Sequence, residues 1–131
     1  MSYAHLRKYL RISLSGLVLL KIINTDVQTS GPVEVISRGG MGVYTRHELK
    51  KGSRVSVKLF CDIAQSDLDF TFTGTIRTGE RREEFACLGI EFEKEINSID
   101  HPHLYHYLIS QEKSINQKNS RYTDLSRVNR T

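Results

Sequence analysis

The sequence is poor in several residue types, and each shortage excludes a class of protein. Trp is absent and aromatic residues make up only 8% of the chain, which disfavours a broad aromatic surface for stacking bases. The two cysteines, Cys61 and Cys87, stand apart with no partner cluster. We therefore expect free thiols in strands and a reducing compartment rather than a disulfide framework.

Long apolar runs are missing as well. No segment approaches the 18 or more apolar residues that a transmembrane helix needs. The longest uncharged apolar stretch near the N-terminus, 17–20, is interrupted by Lys21, and no small-residue cleavage site follows it. We therefore predict a cytoplasmic protein with no membrane insertion.

What is present fits one small domain. The chain has 131 residues, of which 38% are apolar, enough for a single hydrophobic core. Residues 1–12 carry a net charge of +3, residues 113–131 carry +4 and the stretch 13–112 carries −3. A general nucleic-acid binder is disfavoured, because its positive charge should lie on the folded domain. We predict an N-terminal arm (1–12), a folded unit (13–112) and a polar basic tail (113–131) that is mobile or marginally helical.

Short β-type segments fill the folded unit. Alternation of apolar and polar residues is clearest in 54–60, the pattern of a half-buried strand. We predict six strands, over 17–24, 33–36, 43–45, 54–60, 70–78 and 85–93. Six short strands with glycine bends favour a closed antiparallel β-barrel, with Phe70 and Phe72 facing its core.

Breaks and one helix complete the secondary-structure prediction. Turn-forming residues occupy 30–32 and 65–69, three glycines in 39–42 indicate a tight bend, and 79–84 is a charged hairpin loop. From 97 to 112 the period changes to that of a helix, which Asn97 or Ser98 would cap. Its buried face would carry Ile99, Leu104, Tyr107 and Leu108. The fold class is thus all-β with a C-terminal helix.

Two motifs point to function. Arg7 and Arg11 stand four residues apart in the arm, and Ser37 and Gly40 belong to an SRGG sequence at the glycine bend. In this order, and inside a six-strand pattern, the chain resembles the PilZ domain family, whose motifs are RxxxR and (D/N)xSxxG. The resemblance extends over about residues 5–110. It departs from the family at Val35, where the second motif has an acid or an amide.

The resemblance implies a receptor for the bacterial messenger cyclic di-GMP (c-di-GMP), with no cofactor. Guanidinium groups pair with phosphate or with guanine O6 and N7, so two arginines on a mobile arm would close over a ligand at the bend. Ser37 offers a hydroxyl there, and Gly39 and Gly40 offer backbone N–H groups. Lys8 and Arg38 are neighbours that would add phosphate contacts or simply be exposed.

Val35 removes an acceptor for guanine N–H groups, which weakens such a site. Glu34 is the adjacent acid, but strand alternation places it on the opposite face. It would replace the missing acceptor only if a bulge or a shift in register turned it toward the ligand. The alternative function is a degenerate PilZ module that binds another protein and little or no c-di-GMP.

Other functions have weaker support. Asp100, His101, His103 and His106 form a cluster whose spacing is a poor match to a metal site. No lysine of a triphosphate-binding loop follows the glycines, and no nucleophile and base stand at a catalytic spacing, so we do not expect an enzyme. A single-domain receptor of this family would act as an adaptor on an unknown protein of the motility, secretion or transcription machinery.

Overall fold

Seven strands precede one helix in the computed structural model, which describes residues 9–63 and 66–129. In chain order the elements are β1 Ile12–Ser13, β2 Gly16–Ile22, β3 Gln28–Ile36, β4 Gly40–Thr45, β5 Arg54–Ile63, β6 Ser66–Arg81, β7 Ala86–Phe92 and α1 Pro102–Asn129. The predicted site residues Arg7 and Lys8 lie outside the described residues.

The strands close into a barrel. Antiparallel pairing follows the order β1-β3-β2-β5-β6-β7-β4, and β3 also pairs with β4. The β3–β4 pairing closes the six strands β2, β3, β4, β5, β6 and β7 into a ring. The two-residue β1 lies outside this ring order and pairs with the end of β3, at Val35 and Ile36. Closure gives each barrel strand a partner on both sides, so none offers a long open edge. The predicted six-stranded antiparallel barrel with a C-terminal helix is confirmed.

The hydrophobic core fills the inside of this barrel. Along β5 the buried Val55, Val57 and Leu59 alternate with more exposed residues, as the period of two predicts. Phe70 and Phe72 also face inward, as predicted, and Phe72 stacks on Phe92 with ring centroids 4.9 Å apart. Each large apolar side chain buried in this way contributes about 1.5–3 kcal/mol to folding.

The predicted turn at 30–32 is wrong. Gly31 and Pro32 lie inside β3, paired with Val18 and Leu17 of β2. The chain reverses earlier, between β2 and β3, where Asn24 adopts a positive φ of 65°. Gly31 has a tertiary role instead, since a Cβ on it would lie 1.7 Å from the carbonyl oxygen of Tyr44. The glycine allows the backbones of β3 and β4 to meet where the barrel closes.

The β6–β7 hairpin is longer and tighter than the sequence indicated. Strand β6 continues to Arg81, through much of the predicted loop 79–84, and Arg82 N–H donates to the carbonyl oxygen of Phe85 at 2.7 Å to form the turn. The register with β7 shifts between Ile76 and Thr78. This irregularity lies two to four residues after Gly74.

The helix begins later and ends later than predicted. Asn97 caps the turn that precedes it, with its Oδ1 accepting from the N–H groups of Ile99 and Asp100 at 2.9 Å each. Helix α1 then starts at Pro102, a position that suits proline's fixed φ, and it continues to Asn129 through most of the predicted tail. The prediction that Ile99 lies on the buried face is wrong, because Ile99 precedes the helix and is 87% exposed.

The buried face of α1 contributes Leu104 and Leu108 to the core. Both residues were predicted for this face, and both are fully buried. Across the described part of the chain, α1 included, no helix has the length and apolar character needed to cross a membrane.

We predict that Gly31→Ala destabilises the protein by more than about 3 kcal/mol or prevents folding, because the new methyl group overlaps the backbone of β4. Gly79→Ala is the matched control. Its Cβ would meet Leu88 Cδ2 at 3.4 Å, an ordinary contact. Urea unfolding followed by circular dichroism measures both variants, and equal losses of stability would contradict the role assigned to Gly31.

Candidate functional site

A groove of about 320 Å³ lies beside the β3–β4 turn. It extends across four neighbouring strands, β3, β4, β7 and β6. It also includes Arg11, the residue before β1. Its lining residues are Arg11, Glu34, Val35, Ile36, Ser37, Gly40, Met41, Gly42, Thr78, Gly79, Glu80, Cys87, Leu88 and Gly89. The groove thus combines one described cation with two carboxylates and exposed backbone.

Glycine makes the floor of the groove flat. Gly42 of β4 pairs with Gly89 of β7, which in turn pairs with Thr78 of β6. Neither position carries a side chain, and at Gly42 the Glu34 Oε1 and Val35 Cγ2 atoms lie 3.2 and 3.3 Å from where a Cβ would be, so these two side chains pack close to the bare backbone.

The turn at one end of the groove is held by its own hydrogen bonds. Ser37 N–H donates to the carbonyl oxygen of Gly40 at 2.8 Å, and the Ser37 hydroxyl donates to the same oxygen at 3.3 Å. The Ser37 Oγ also accepts from Gly39 N–H at 3.2 Å. Ser37 is only 3% exposed, so its hydroxyl fixes the shape of the turn as well as lining the groove.

A β-bulge changes which residues of β3 face the groove. The β3–β4 register shifts between Val33 and Val35, and both Glu34 and Val35 line the groove. Regular alternation would have placed these two neighbours on opposite faces. The condition under which Glu34 reaches the site is therefore met.

The Glu34 carboxylate is oriented by a neighbour on β4. The Tyr44 hydroxyl donates to Glu34 Oε2 at 2.5 Å, and the ring of Tyr44 packs edge-on against Phe85 with centroids 5.4 Å apart. The hydrogen bond to Glu34 is the main cause of a raised pKa at Tyr44, with burial adding to it. The phenol therefore stays protonated, and remains a donor, across the neutral range.

Arg38 lies at the turn but is engaged away from the groove lining. Its Nε and Nη2 donate to the two carboxylate oxygens of Glu112 in α1, at 3.0 and 3.1 Å. Its guanidinium also lies over the ring of Tyr9, 4.4 Å from the centroid, and the Tyr9 hydroxyl donates to Glu95. Arg38 thereby links the arm, the turn and the helix.

The predicted site residues fall into three groups. Arg11, Val35, Ser37 and Gly40 come together in the groove. Gly39 and Arg38 lie beside it, and a Cβ on Gly39 would come 3.3 Å from the ring of Tyr9. The other two, Arg7 and Lys8, are not among the described residues.

Several lining residues were missed by the sequence prediction. They are Ile36, Met41, Gly42, Thr78, Gly79, Glu80, Cys87, Leu88 and Gly89. The two paired glycines carried a usable signal, because an isolated glycine inside a strand often marks a close backbone approach. Nothing local in the sequence distinguishes Glu80 or Thr78 from other exposed strand residues.

The histidine cluster has a structural role in part. The ring of His101 packs on Phe72 with centroids 4.5 Å apart and contacts the carbonyl oxygen of Thr71 at 3.1 Å. His103 and His106 are exposed on α1. Within 9–63 and 66–129, no three His, Cys, Asp or Glu side chains are grouped to hold a metal ion.

This chain belongs to the PilZ domain family, whose family model matches residues 5–110. The resemblance drawn from the two motifs and the strand pattern is thereby confirmed. No curated protein matches the chain.

Solved structures share the fold. The PilZ domain of YcgR from Escherichia coli with c-di-GMP is 18% identical with a TM-score of 0.60, covering 87% of this chain and 97% of that one. The inhibitor of motility MotI/DgrA from Bacillus subtilis is 14% identical, with a TM-score of 0.63 and coverage of 80% and 51%. YcgR from Escherichia coli in complex with c-di-GMP is 20% identical, with a TM-score of 0.62 and coverage of 88% and 50%. The match therefore spans about half the length of the last two proteins.

The two cysteines are free thiols in strands, as predicted, and their surroundings differ. Cys61 is buried in β5, and desolvation, followed by the charge of Asp62, raises its pKa to about 11. Cys87 is half-buried in the groove wall. We predict that a maleimide at pH 8 modifies Cys87, and that Cys61 reacts only as the pH approaches 11 or on unfolding.

Peptide mass spectrometry identifies the modified cysteine, and Cys87→Ser is the control that should abolish the reaction at pH 8. Modification of Cys61 before Cys87 in folded protein would show that the groove wall is not arranged as described.

We predict that Glu112→Ala destabilises the protein by about 1–3 kcal/mol, because it leaves the half-buried Arg38 without its bidentate acceptor. Glu93→Ala is the matched control. It removes a carboxylate from an ion pair with Arg54 whose side chains are about 60% exposed, and such a pair contributes little. Urea unfolding distinguishes the two variants, and similar midpoints would contradict a structural role for the Arg38–Glu112 pair.

Proposed function

We propose that the chain is a receptor that binds c-di-GMP in the groove beside the β3–β4 turn. Membership of the PilZ family supports this, as does the likeness in fold to a PilZ domain solved with c-di-GMP. The observation that carries the proposal is that Arg11, Val35, Ser37 and Gly40, which occupy motif positions distant in sequence, line one groove.

The chemistry of the groove suits a flat, doubly anionic ligand. The Arg11 guanidinium offers a planar set of donors to a phosphate or to guanine O6 and N7. In this proposal a guanine base packs against the groove wall beside Val35 and the bare backbone of Gly42 and Gly89. In this proposal Arg7 and Lys8 add contacts from the arm, and Arg38 adds a phosphate contact when it leaves Glu112.

We also propose that the protein acts as an adaptor rather than as an enzyme. Ligand bound between the arm and the groove would present a new surface, and that surface would engage a partner protein. MotI/DgrA, similar in fold, is described as an inhibitor of motility, which makes the motility machinery one candidate partner, beside the secretion and transcription machinery. The arm is a suitable element for such a switch, since Tyr9 connects it to the turn through Arg38.

We predict that Arg11→Ala weakens c-di-GMP binding at least ten-fold, because it removes charge-assisted hydrogen bonds to the ligand. Arg54→Ala is the matched control, an exposed arginine outside the groove lining. Isothermal titration calorimetry measures both affinities and gives the stoichiometry. Bound ligand should also protect Cys87 from maleimide.

The absence of heat at high c-di-GMP concentration, with folded wild-type protein, would overturn the receptor proposal and leave the degenerate protein-binding module. Equal affinities of Arg11→Ala and Arg54→Ala would mean that the ligand binds elsewhere.

A further inference from the structure

We propose that Glu34 is the residue that makes the groove specific for guanine, in place of the acceptor that Val35 lacks. The inference rests on the proposed function, since it assigns the base contact at that same groove. It assigns the role to a residue outside the family motif, brought to the site by a bulge in this chain's own β3.

The bulge supplies the position. Because the β3–β4 register shifts between Val33 and Val35, Glu34 lines the groove next to Val35 instead of pointing to the opposite face. The isopropyl group of Val35 has no acceptor atom, so Glu34 provides the carboxylate at this end of the groove. A ligand whose apolar surface packs against Val35 therefore also lies close to the Glu34 carboxylate.

The orientation of the carboxylate is defined by its contacts on both sides. Oε2 accepts from the Tyr44 hydroxyl at 2.5 Å, which fixes one side of the group. Oε1 lies on the side of the floor, only 3.2 Å from the position that a Cβ on Gly42 would occupy. A carboxylate offers about four lone-pair sites, so it can keep the tyrosine and still accept from a ligand.

Guanine presents the matching donors. Its Watson–Crick edge carries N1–H and an amino group on C2, and a single carboxylate can accept from both, while the opposite edge, with O6 and N7, remains open to a guanidinium such as that of Arg11. Hypoxanthine has the same ring, N1–H, O6 and N7 but no amino group. Adenine has no N1–H and no amino group on C2, so it offers nothing to Glu34 in this arrangement.

Glu80 provides a contrast within the same groove. Its carboxylate is also a lining group, but its side chain is 68% exposed and its contact with Arg82 is 3.5 Å long. Among the described side chains, no tyrosine hydroxyl donates to the Glu80 carboxylate. Glu80 therefore adds negative charge near the ligand with no fixed acceptor, and its removal measures the effect of charge alone.

The test compares c-di-GMP with its inosine analogue, in which both bases are hypoxanthine, by calorimetry on the full chain. For the wild type we expect c-di-GMP to bind at least ten-fold more tightly than the analogue, since the analogue loses a hydrogen bond to a charged group. In Glu34→Ala we expect weaker c-di-GMP binding, and the ratio of the two dissociation constants, analogue to c-di-GMP, should fall close to one. In Glu80→Ala we expect tighter binding of both ligands, because a negative charge leaves the groove, with the wild-type preference retained.

A rescue variant separates the acceptor from the fold. In the double variant Glu34→Ala/Val35→Asp the carboxylate moves to the family's motif position, and we expect the preference for c-di-GMP over the analogue to return. Tyr44→Phe keeps the carboxylate but removes its fixed donor, so it should lower the preference only in part. Circular dichroism confirms that each variant is folded.

The outcomes distinguish the two proposals. If the wild type binds neither ligand, the receptor function fails and this inference fails with it. If the wild type binds c-di-GMP but Glu34→Ala keeps the full preference over the analogue, Glu34 does not read the base and the receptor function stands. Tighter binding by Glu34→Ala, with an unchanged preference, would show that Glu34 only repels the phosphates.

Discussion

The pairing of β3 with β4 determines both the shape of the barrel and the location of the groove. This pairing closes the ring of six strands, and it requires the two backbones to approach so closely at Gly31 that no side chain fits there. The same pair of strands ends in the Ser37–Gly40 turn and contains the bulge at Glu34. Closure of the fold and exposure of the site residues thus follow from one set of backbone contacts.

Local pattern was sufficient for much of the fold. The alternation of Val55, Val57 and Leu59 requires only that one face of β5 be buried, so the sequence alone identifies this strand. The turn assigned to 30–32 was wrong because glycine and proline are ambiguous locally. At Gly31 the reason for glycine is the backbone of a strand more than ten residues away, which no short segment reveals.

In the site, too, some features follow from local sequence and others depend on contacts between distant residues. The motifs selected Arg11, Ser37 and Gly40 by a spacing that is characteristic of a family, and the fold places all three along one groove. The place of Glu34 depended on a register shift, which is a property of two paired strands rather than of one. The partnership of Arg38 with Glu112 joins residues 74 apart in sequence, and only the packing of α1 on the barrel brings them together.

Arg38 also has a consequence for how its two partners contribute to stability. One guanidinium contacts the ring of Tyr9 and the carboxylate of Glu112 at the same time. Losing either contact changes the hydration and freedom of the group that makes the other, so the energetic contributions of the two partners are not additive. Tyr9 and Glu112 are therefore thermodynamically coupled through one guanidinium.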